Sequence, residues 1–372
     1  MSGRLGIGVV GAGTISNQYL GNMTAFPDLD VVIVADRFEE LAAKQAAAYG
    51  VRESGSPEAA YHHPEVDLIV NLTNPNSHME VSSTALAAGK HVFTEKPFAT
   101  SREDGQTLLA AARAAGLRIG GAPDTFLGAG LQSARRLIDR GEIGTPLTGL
   151  TLFEVPGPAD DHRNLEILLS RGAGPLWDMG PYYLTALAQV FGSFASVTAT
   201  ARIARPLRTL LSGSKKGQVH KVQVPTHVSI LADFAGGGAS VSTLSWDSPH
   251  RRVGHIEIVG TEATLVIPDP NEFTGTLRIR RKGDSDWTDL PATGAVGGRG
   301  SGPLDMARSL AAGVPHRASG ELAFHVVDVM ASVTESLKSH SWVEIASEVP
   351  PTPALTEDWD PFAATLEPSR VG

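Results

Sequence analysis

The chain has 372 residues, 42% hydrophobic and 19% charged, which suits two globular domains that each bury a core. A formal charge of −9 argues against a nucleic-acid partner, and the absence of cysteine removes disulfides, thiolate catalysis and cysteine-ligated metal. Met1-Ser2-Gly3-Arg4 lacks the pattern of a secretory leader and no apolar run reaches membrane-spanning length, so a soluble cytoplasmic protein with no membrane partner is expected.

Leu5 to Val10 is a short apolar run leading into Gly11-Ala12-Gly13-Thr14-Ile15-Ser16 and a helical pattern to about Phe26. Strand, glycine turn and helix in this order form a dinucleotide fingerprint. Gly11 permits the tight turn, and Gly13 lets the backbone approach a pyrophosphate at the helix N-terminus. Ser16 stands in place of the usual third glycine and is small enough for close helix packing. Residues 31–35 form a second buried strand ended by Asp36, roughly twenty residues past the turn. A carboxylate there accepts hydrogen bonds from the adenosine ribose hydroxyls and repels a 2′-phosphate, which favours NAD. Arg37 beside it could stack on adenine or neutralise a phosphate, so NADP stays possible. The competing role for Asp36 is to cap a helix over 38–49.

Residues 66–72 are the next strand, running into Thr73-Asn74-Pro75-Asn76-Ser77-His78 and a helix over 79–88 with Gly89 as its C-cap. At a strand's carboxyl end, this loop is expected to border the nicotinamide half of the cofactor. His78 is a cofactor-side candidate or a structural residue of the helix's first turn. His62 and His63 fall in a turn-like stretch expected to face solvent. Lys90-His91-Val92-Phe93-Thr94-Glu95-Lys96-Pro97 then reads as a short strand that delivers Glu95-Lys96 and stops at proline. A lysine at the end of such a strand is aimed towards the ligand crevice and suits proton chemistry. A surface Lys-Glu pair of little energetic worth is the alternative. A helical segment over 108–115, Gly116 and a strand over 117–121 complete the alternation. Residues 1–122 therefore read as a Rossmann domain with a doubly wound parallel sheet.

Past Ala122-Pro123 the rhythm changes. A helix over 130–140 precedes strand-like runs at 147–155, 196–203, 218–234, 239–246, 253–260, 263–267 and 276–281, with Gly236-Gly237-Gly238 as a hairpin turn. The alternation over 226–234 fits a large, mostly antiparallel open sheet covered by helices on one face. Helical patterns return at 304–312 and 321–339. Residues 123–348 thus read as an α+β domain and 349–372 as a Pro-rich C-terminal tail, giving a fold class of α/β plus α+β.

Among these strands, Gly172-Ala173-Gly174-Pro175-Leu176-Trp177-Asp178-Met179-Gly180-Pro181-Tyr182-Tyr183 enters a helix that runs to about Phe191. Pro181 fits a helix's first turn, which puts Asp178 and Tyr182 on one face at the helix start. A carboxylate and a phenol together suit recognition of, and proton exchange with, a substrate hydroxyl. A capping aspartate beside core tyrosines is the plainer alternative.

Four features in order resemble the Gfo/Idh/MocA family: Gly11-Ala12-Gly13, Thr73-Asn74-Pro75…His78, Glu95-Lys96-Pro97 and Asp178-x-Gly180-x-Tyr182. The resemblance spans residues 4–345. It implies an NAD- or NADP-dependent oxidoreductase acting on a sugar, cyclitol or glycoside, working without metal. It also implies a homodimer or homotetramer joined through the second domain's open sheet. Lys96 corresponds to the family's catalytic lysine and Asp178 to the aspartate that holds the reacting hydroxyl. Tyr182 stands where many members carry a histidine, as in the branch resembling glucose–fructose oxidoreductase and the pentose and dihydrodiol dehydrogenases. The expected cofactor contacts are Gly11, Gly13, Thr14, Ile15, Asp36, Arg37, Thr73, Asn74, Pro75, Asn76, His78, Glu95 and Lys96. Tyr182 would take the proton of a secondary alcohol with the help of Lys96, unless Lys96 is itself the base. Besides Lys96, Asp178 and Tyr182, the substrate contacts would include His162 and Arg163, with His316-Arg317 as further candidates. Two rival readings are a redox-neutral lyase or hydrolase that uses tightly held NAD transiently, and a non-catalytic dinucleotide or sugar sensor.

Overall fold

The computed structural model describes residues 3–162, 164–349 and 352–366. Their contacts define two compact units, the first drawn from residues 1–132, 293–327 and 350–372 and the second from 133–292 and 328–349. The first opens with β1 (Leu5–Val10), α1 (Ser16–Met23), β2 (Leu29–Ala35), α2 (Glu39–Tyr49), β3 (Glu53–Gly55) and α3 (Pro57–His62). It continues with β4 (Leu68–Asn71), α4 (His78–Ala87), β5 (His91–Thr94), α5 (Arg102–Ala114) and β6 (Ile119–Gly121). The strands pair in parallel in the order β3-β2-β1-β4-β5-β6. Every residue of β1, β4 and β5 is buried, which is why these strands read as near-continuous apolar runs. Strand order reverses between β1 and β4, and in such sheets the crevice beyond the carboxyl ends at that point is the ligand site. Two helices start on serine caps: Ser56 Oγ accepts from the Ala59 amide at 3.4 Å, and Ser101 Oγ from the Asp104 amide at 3.0 Å.

After α6 (Ala129–Asp139), the second unit carries β7 (Pro146–Glu154), α7 (Leu165–Leu168), α8 (Gly174–Phe191), β8 (Phe194–Arg202), β9 (Leu207–Thr209) and β10 (Val219–Lys221). Next come β11 (His227–Phe234), β12 (Ala239–Ser245), β13 (Arg252–Gly260), β14 (Ala263–Ile267), β15 (Thr276–Arg281) and β16 (Thr288–Pro291). The chain ends through α9 (Ser301–Ala312), α10 (Gly320–Ser339) and β17 (Val343–Glu344). Nine strands lie in the order β16-β15-β14-β13-β7-β12-β11-β8-β17, with β7 and β12 parallel and the other neighbours antiparallel. α8 packs on β7, β11 and β12. Contact is close: a Cβ on Gly149 of β7 would come within 2.9 Å of Leu187. The strands alternate as a one-face-covered sheet requires, with Val228, Ile230 and Phe234 of β11 buried and Leu231 exposed.

Two expectations need correction. The run over 218–234 divides into β10 and β11, because Pro225 has no N–H to give a ladder. The helix bearing Asp178 begins at Gly174, so Pro175 takes the first turn and Pro181 lies in the interior. Asp178 and Tyr182 therefore occupy the second and third turns. Four apart, they still share a face.

Candidate active site

The carboxyl ends of β1, β2 and β4 border a crevice of about 490 Å3. Gly11, Gly13, Asp36, Arg37, Thr73 and Asn74 all line it, six of the residues expected to touch a cofactor. Gly11 has φ of +110°, and a Cβ there would stand 2.6 Å from the Leu72 carbonyl carbon, so both conformation and space demand glycine. Gly13 differs: nothing lies within 4 Å of its Cβ direction. That open backbone surface fits the approach of a pyrophosphate to the N-terminal turn of α1. Ser16 is fully buried and donates its hydroxyl to the Gly13 carbonyl at 2.7 Å, so the third position of the fingerprint braces the turn.

Asp36 ties β2 to this turn. Its Oδ2 accepts the Ala12 amide at 2.8 Å and its Oδ1 the Phe38 amide at 2.9 Å. The cap residue of α2 is Phe38, so Asp36 closes the turn before the helix and does not cap it. Each carboxylate oxygen keeps a second lone pair for a ribose hydroxyl. The Arg37 guanidinium lies 4.7 Å from the Phe38 ring centroid. Sequence reasoning missed Tyr61, Glu58 and Glu80, which also line the crevice. Burial, reinforced by Glu58 and Glu80, pushes the Tyr61 phenol up to about 12.

The loop after β4 is shaped from within the sheet. Asn71 Oδ1 accepts from the Thr73 hydroxyl at 2.6 Å and the Thr73 amide at 3.2 Å. Its Nδ2 donates to the His78 carbonyl at 3.2 Å and to Ser82 Oγ at 3.1 Å. His78 is buried, with Nδ1 2.8 Å from the Pro97 carbonyl and Nε2 3.1 Å from the Thr73 carbonyl. Burial lowers its pKa against those two hydrogen bonds, so the ring is neutral and has one proton to donate. His78 thus links the loop after β4 to the loop after β5, and Pro75 and Asn76 form the short 3-10 turn before it.

Lys96 is half-buried at the end of β5. Its amide donates to Glu95 Oε2 at 2.9 Å, and the other oxygen of that buried carboxylate accepts the Tyr19 hydroxyl at 2.8 Å. Tyr19 of α1 is fully buried, and burial together with the charges of Glu95 and Asp124 holds its phenol far above its ordinary value. It therefore stays a donor to Glu95. No motif announced Tyr19, and only its helical spacing from the glycine turn could have marked it.

In the second unit Asp178 is half-buried and Tyr182 is 5% exposed. Tyr183 beside it accepts the Gly254 amide at 2.8 Å and is a core residue. His162 is exposed and its Nδ1 accepts the Asn164 amide at 3.2 Å; Arg163 lies outside the described residues. His63 is half-buried and 3.2 Å from Glu53, which corrects the expectation that both neighbouring histidines face solvent. His316 and Arg317 are likewise taken up by structure. His316 is buried against Gly120 of β6, and Arg317 donates to Asp305 at 2.6 Å. Among the described residues no group of three or more His, Asp or Glu could hold a metal ion, and no helix is long and apolar enough to cross a membrane.

A crevice at the switch point of a 3-2-1-4-5-6 sheet in one unit, and a large open sheet in the other, are the parts of a two-domain dinucleotide-dependent enzyme. Comparison with known proteins identifies the kind. Residues 5–121 match the GFO/IDH/MocA model described as an oxidoreductase family with an NAD-binding Rossmann fold, and residues 131–266 match the GFO/IDH/MocA C-terminal domain. The chain is 32% identical to inositol 2-dehydrogenase 3 of Saccharopolyspora erythraea, over 78% of this chain and 86% of that one. It is 28% identical to dTDP-3,4-didehydro-2,6-dideoxy-alpha-D-glucose 3-reductase of Saccharopolyspora spinosa, over 78% and 83%. Its fold is similar to the crystal structure of an NAD binding oxidoreductase from Klebsiella pneumoniae, with a TM-score of 0.82, 25% identity and coverage of 93% and 100%. The chain belongs to the GFO/IDH/MocA family and is an NAD-binding oxidoreductase.

Proposed function

We propose that this enzyme transfers hydride between a ring secondary alcohol of a sugar, cyclitol or glycoside and NAD. The observation that carries the cofactor half is the crevice itself. Its open Gly13 backbone suits a pyrophosphate, while Asp36, Glu58 and Glu80 outnumber Arg37 in the lining and disfavour a 2′-phosphate. The substrate class follows from the relatives, one an inositol 2-dehydrogenase and the other a deoxysugar 3-reductase.

Bound nicotinamide supplies the hydride acceptor or donor. The chain's own groups handle the proton and the binding. Gly11, Gly13, Thr14 and Ile15 would hold the pyrophosphate, Asp36 and Arg37 the adenosine, and residues 73–76 with His78, Glu95 and Lys96 the nicotinamide end. Tyr182 is assigned to take the hydroxyl proton during oxidation as its phenolate, Lys96 to favour that phenolate with its positive charge, and Asp178 to orient the hydroxyl. His162 and Arg163 are assigned to other hydroxyls of the ring. We place the enzyme in the cytoplasm as a homodimer or homotetramer, its copies meeting on the outer face of the nine-stranded sheet.

The test is spectrophotometric. Purified protein is given NAD+ or NADP+ with a panel of aldoses, inositols, anhydrosugars and glycosides, and reduced cofactor is followed. Reduction with one compound class and NAD+ is expected. Lys96→Met should then lower turnover by at least about 100-fold, the usual scale of proton-transfer help, and leave NAD binding intact. Unchanged turnover in that variant rejects the assignment. A silent panel with NAD found bound to the protein points to the redox-neutral chemistry instead.

A further inference from the structure

A cavity of about 580 Å3 opens in the second unit beside the first turn of α8. Leu176 and Trp177 of α8, Val224, Val228 of β11 and Leu337 of α10 give it apolar walls. Leu176, Val224 and Val228 are themselves buried, so the walls continue the hydrophobic core. Arg171 and Lys338 also line the cavity, both exposed, and among the described residues no acidic side chain does. α10 contributes Thr334, Leu337 and Lys338 at i, i+3 and i+4, which is one helical face.

This cavity is separate from the groups assigned to catalysis. Successive helix residues turn by about 100°. Leu176 and Trp177 face the cavity, whereas Asp178 and Tyr182 lie about 200–240° round the axis from Leu176. Neither Asp178 nor Tyr182 is among its lining residues.

We propose that the cavity binds a small amphipathic anion, an aromatic or branched aliphatic body carrying a carboxylate or sulfonate. Size, lining and charge agree on this class. Small-molecule sites run to about 300–1,000 Å3 with mostly apolar walls and few polar groups. Apolar surface supplies the affinity, and two cations without a carboxylate in the lining select an anion over a cation or a neutral body.

The probe is 8-anilinonaphthalene-1-sulfonate added to the full chain with NAD+ at saturation, so that the nucleotide crevice is filled. A saturable fluorescence gain at one probe per chain is expected. Reversing both charges, Arg171→Glu with Lys338→Glu, should weaken binding by about tenfold, since two attractions become two repulsions. Neutral N-phenyl-1-naphthylamine should change by no more than about twofold in that variant, because it feels only the walls. Thr334→Trp, which fills the cavity from α10, should abolish both signals. NAD binding and the thermal midpoint report whether each variant is folded. No saturable gain in the presence of NAD+ overturns the proposal, as does a gain indifferent to both variants. A gain seen only in chains that sediment as monomers also overturns it, because a second copy then fills the cavity.

Discussion

At position 124 a carboxyl is completely buried against the first turn of α9. Its Oδ2 accepts the amides of Gly300 and Gly302 at 2.8 and 3.0 Å, while its Oδ1 has no hydrogen-bond partner. Burial drives the pKa up to about 6, against the pull of the Gly302 amide, the Arg299 charge and the Gly300 amide. An acid whose folded pKa is raised above its unfolded value, near 4, holds its proton more tightly in the native state. Its stabilising contribution is whole below about pH 4 and is lost as pH rises through about 6. Asp124→Asn keeps an acceptor for both amides and cannot ionise. Between pH 5 and pH 7.5 the variant should gain on the wild type by about 1–2 kcal/mol, read from urea unfolding at the two pH values. A difference that stays constant across that range removes Asp124 from the titration. At this scale the sequence exposes only residues that belong to motifs. Glu95 and Lys96 stand in one, whereas Asp124 and Tyr19 matter through partners far along the chain, and no local pattern carries that information.

Elements were legible wherever their period had room to repeat. The alternation over 226–234 disclosed the open sheet because the eight residues of β11 within it show four full periods of two. β9, β16 and β17 span two to four residues and show no period, so they were invisible. The start of α8 was misplaced for another reason: Pro175 and Pro181 each satisfy the first-turn rule, and sequence alone cannot choose between them. Register adds what the strand pattern could not. Across β8, β11, β12, β7 and β13 the pairings place Thr198, Leu231, Val241, Leu150 and Glu257 in one row. Leu231, Val241 and Leu150 are 47%, 44% and 37% exposed, so an apolar stripe crosses three adjacent strands on the outer face. This stripe is the apolar surface that the proposed association through the outer face would cover. Val241→Lys puts a charge at its centre, where the cost to the isolated fold is within about 0.5 kcal/mol. Sedimentation velocity should find the wild type as a dimer or tetramer and the variant as a monomer. A monomeric wild type, or a variant of unchanged mass, rejects this face.

The whole first unit is closed by chain that composition presents as a tail. Asp28, in the turn before β2, is fully buried and accepts four hydrogen bonds from distant residues. They come from the Thr365 amide at 2.8 Å, the Thr365 hydroxyl at 2.7 Å, the Leu366 amide at 2.9 Å and Arg308 Nε at 2.7 Å. Leu355 is buried, with its amide on Gln132 Oε1 at 2.6 Å, and the Phe362 ring meets Phe26 edge-on at 5.5 Å. A proline-rich end has no period to read, so only its contacts disclose that residues 352–366 act as a strap. Burial alone would raise the Asp28 pKa, but hydrogen bonds from Thr365, Leu366 and Arg308 outweigh it and hold the carboxyl below its usual range. A depressed acid contributes stability that is present above its unfolded pKa, near 4, and is lost as pH falls through the folded value. A chain ending at Val349 keeps Arg308 on Asp28 and loses the other three bonds, together with the buried surface of Leu355 and the edge contact that the exposed Phe362 makes with Phe26. It should be less stable by about 3–6 kcal/mol at pH 7. Its deficit should also shrink as pH falls through the folded pKa of Asp28, because the lost donors favour only the carboxylate. Urea unfolding at pH 7 and in steps down to about pH 2 reads the two effects separately. A deficit that is the same at every pH would assign the strap's contribution to its apolar contacts rather than to the charge on Asp28.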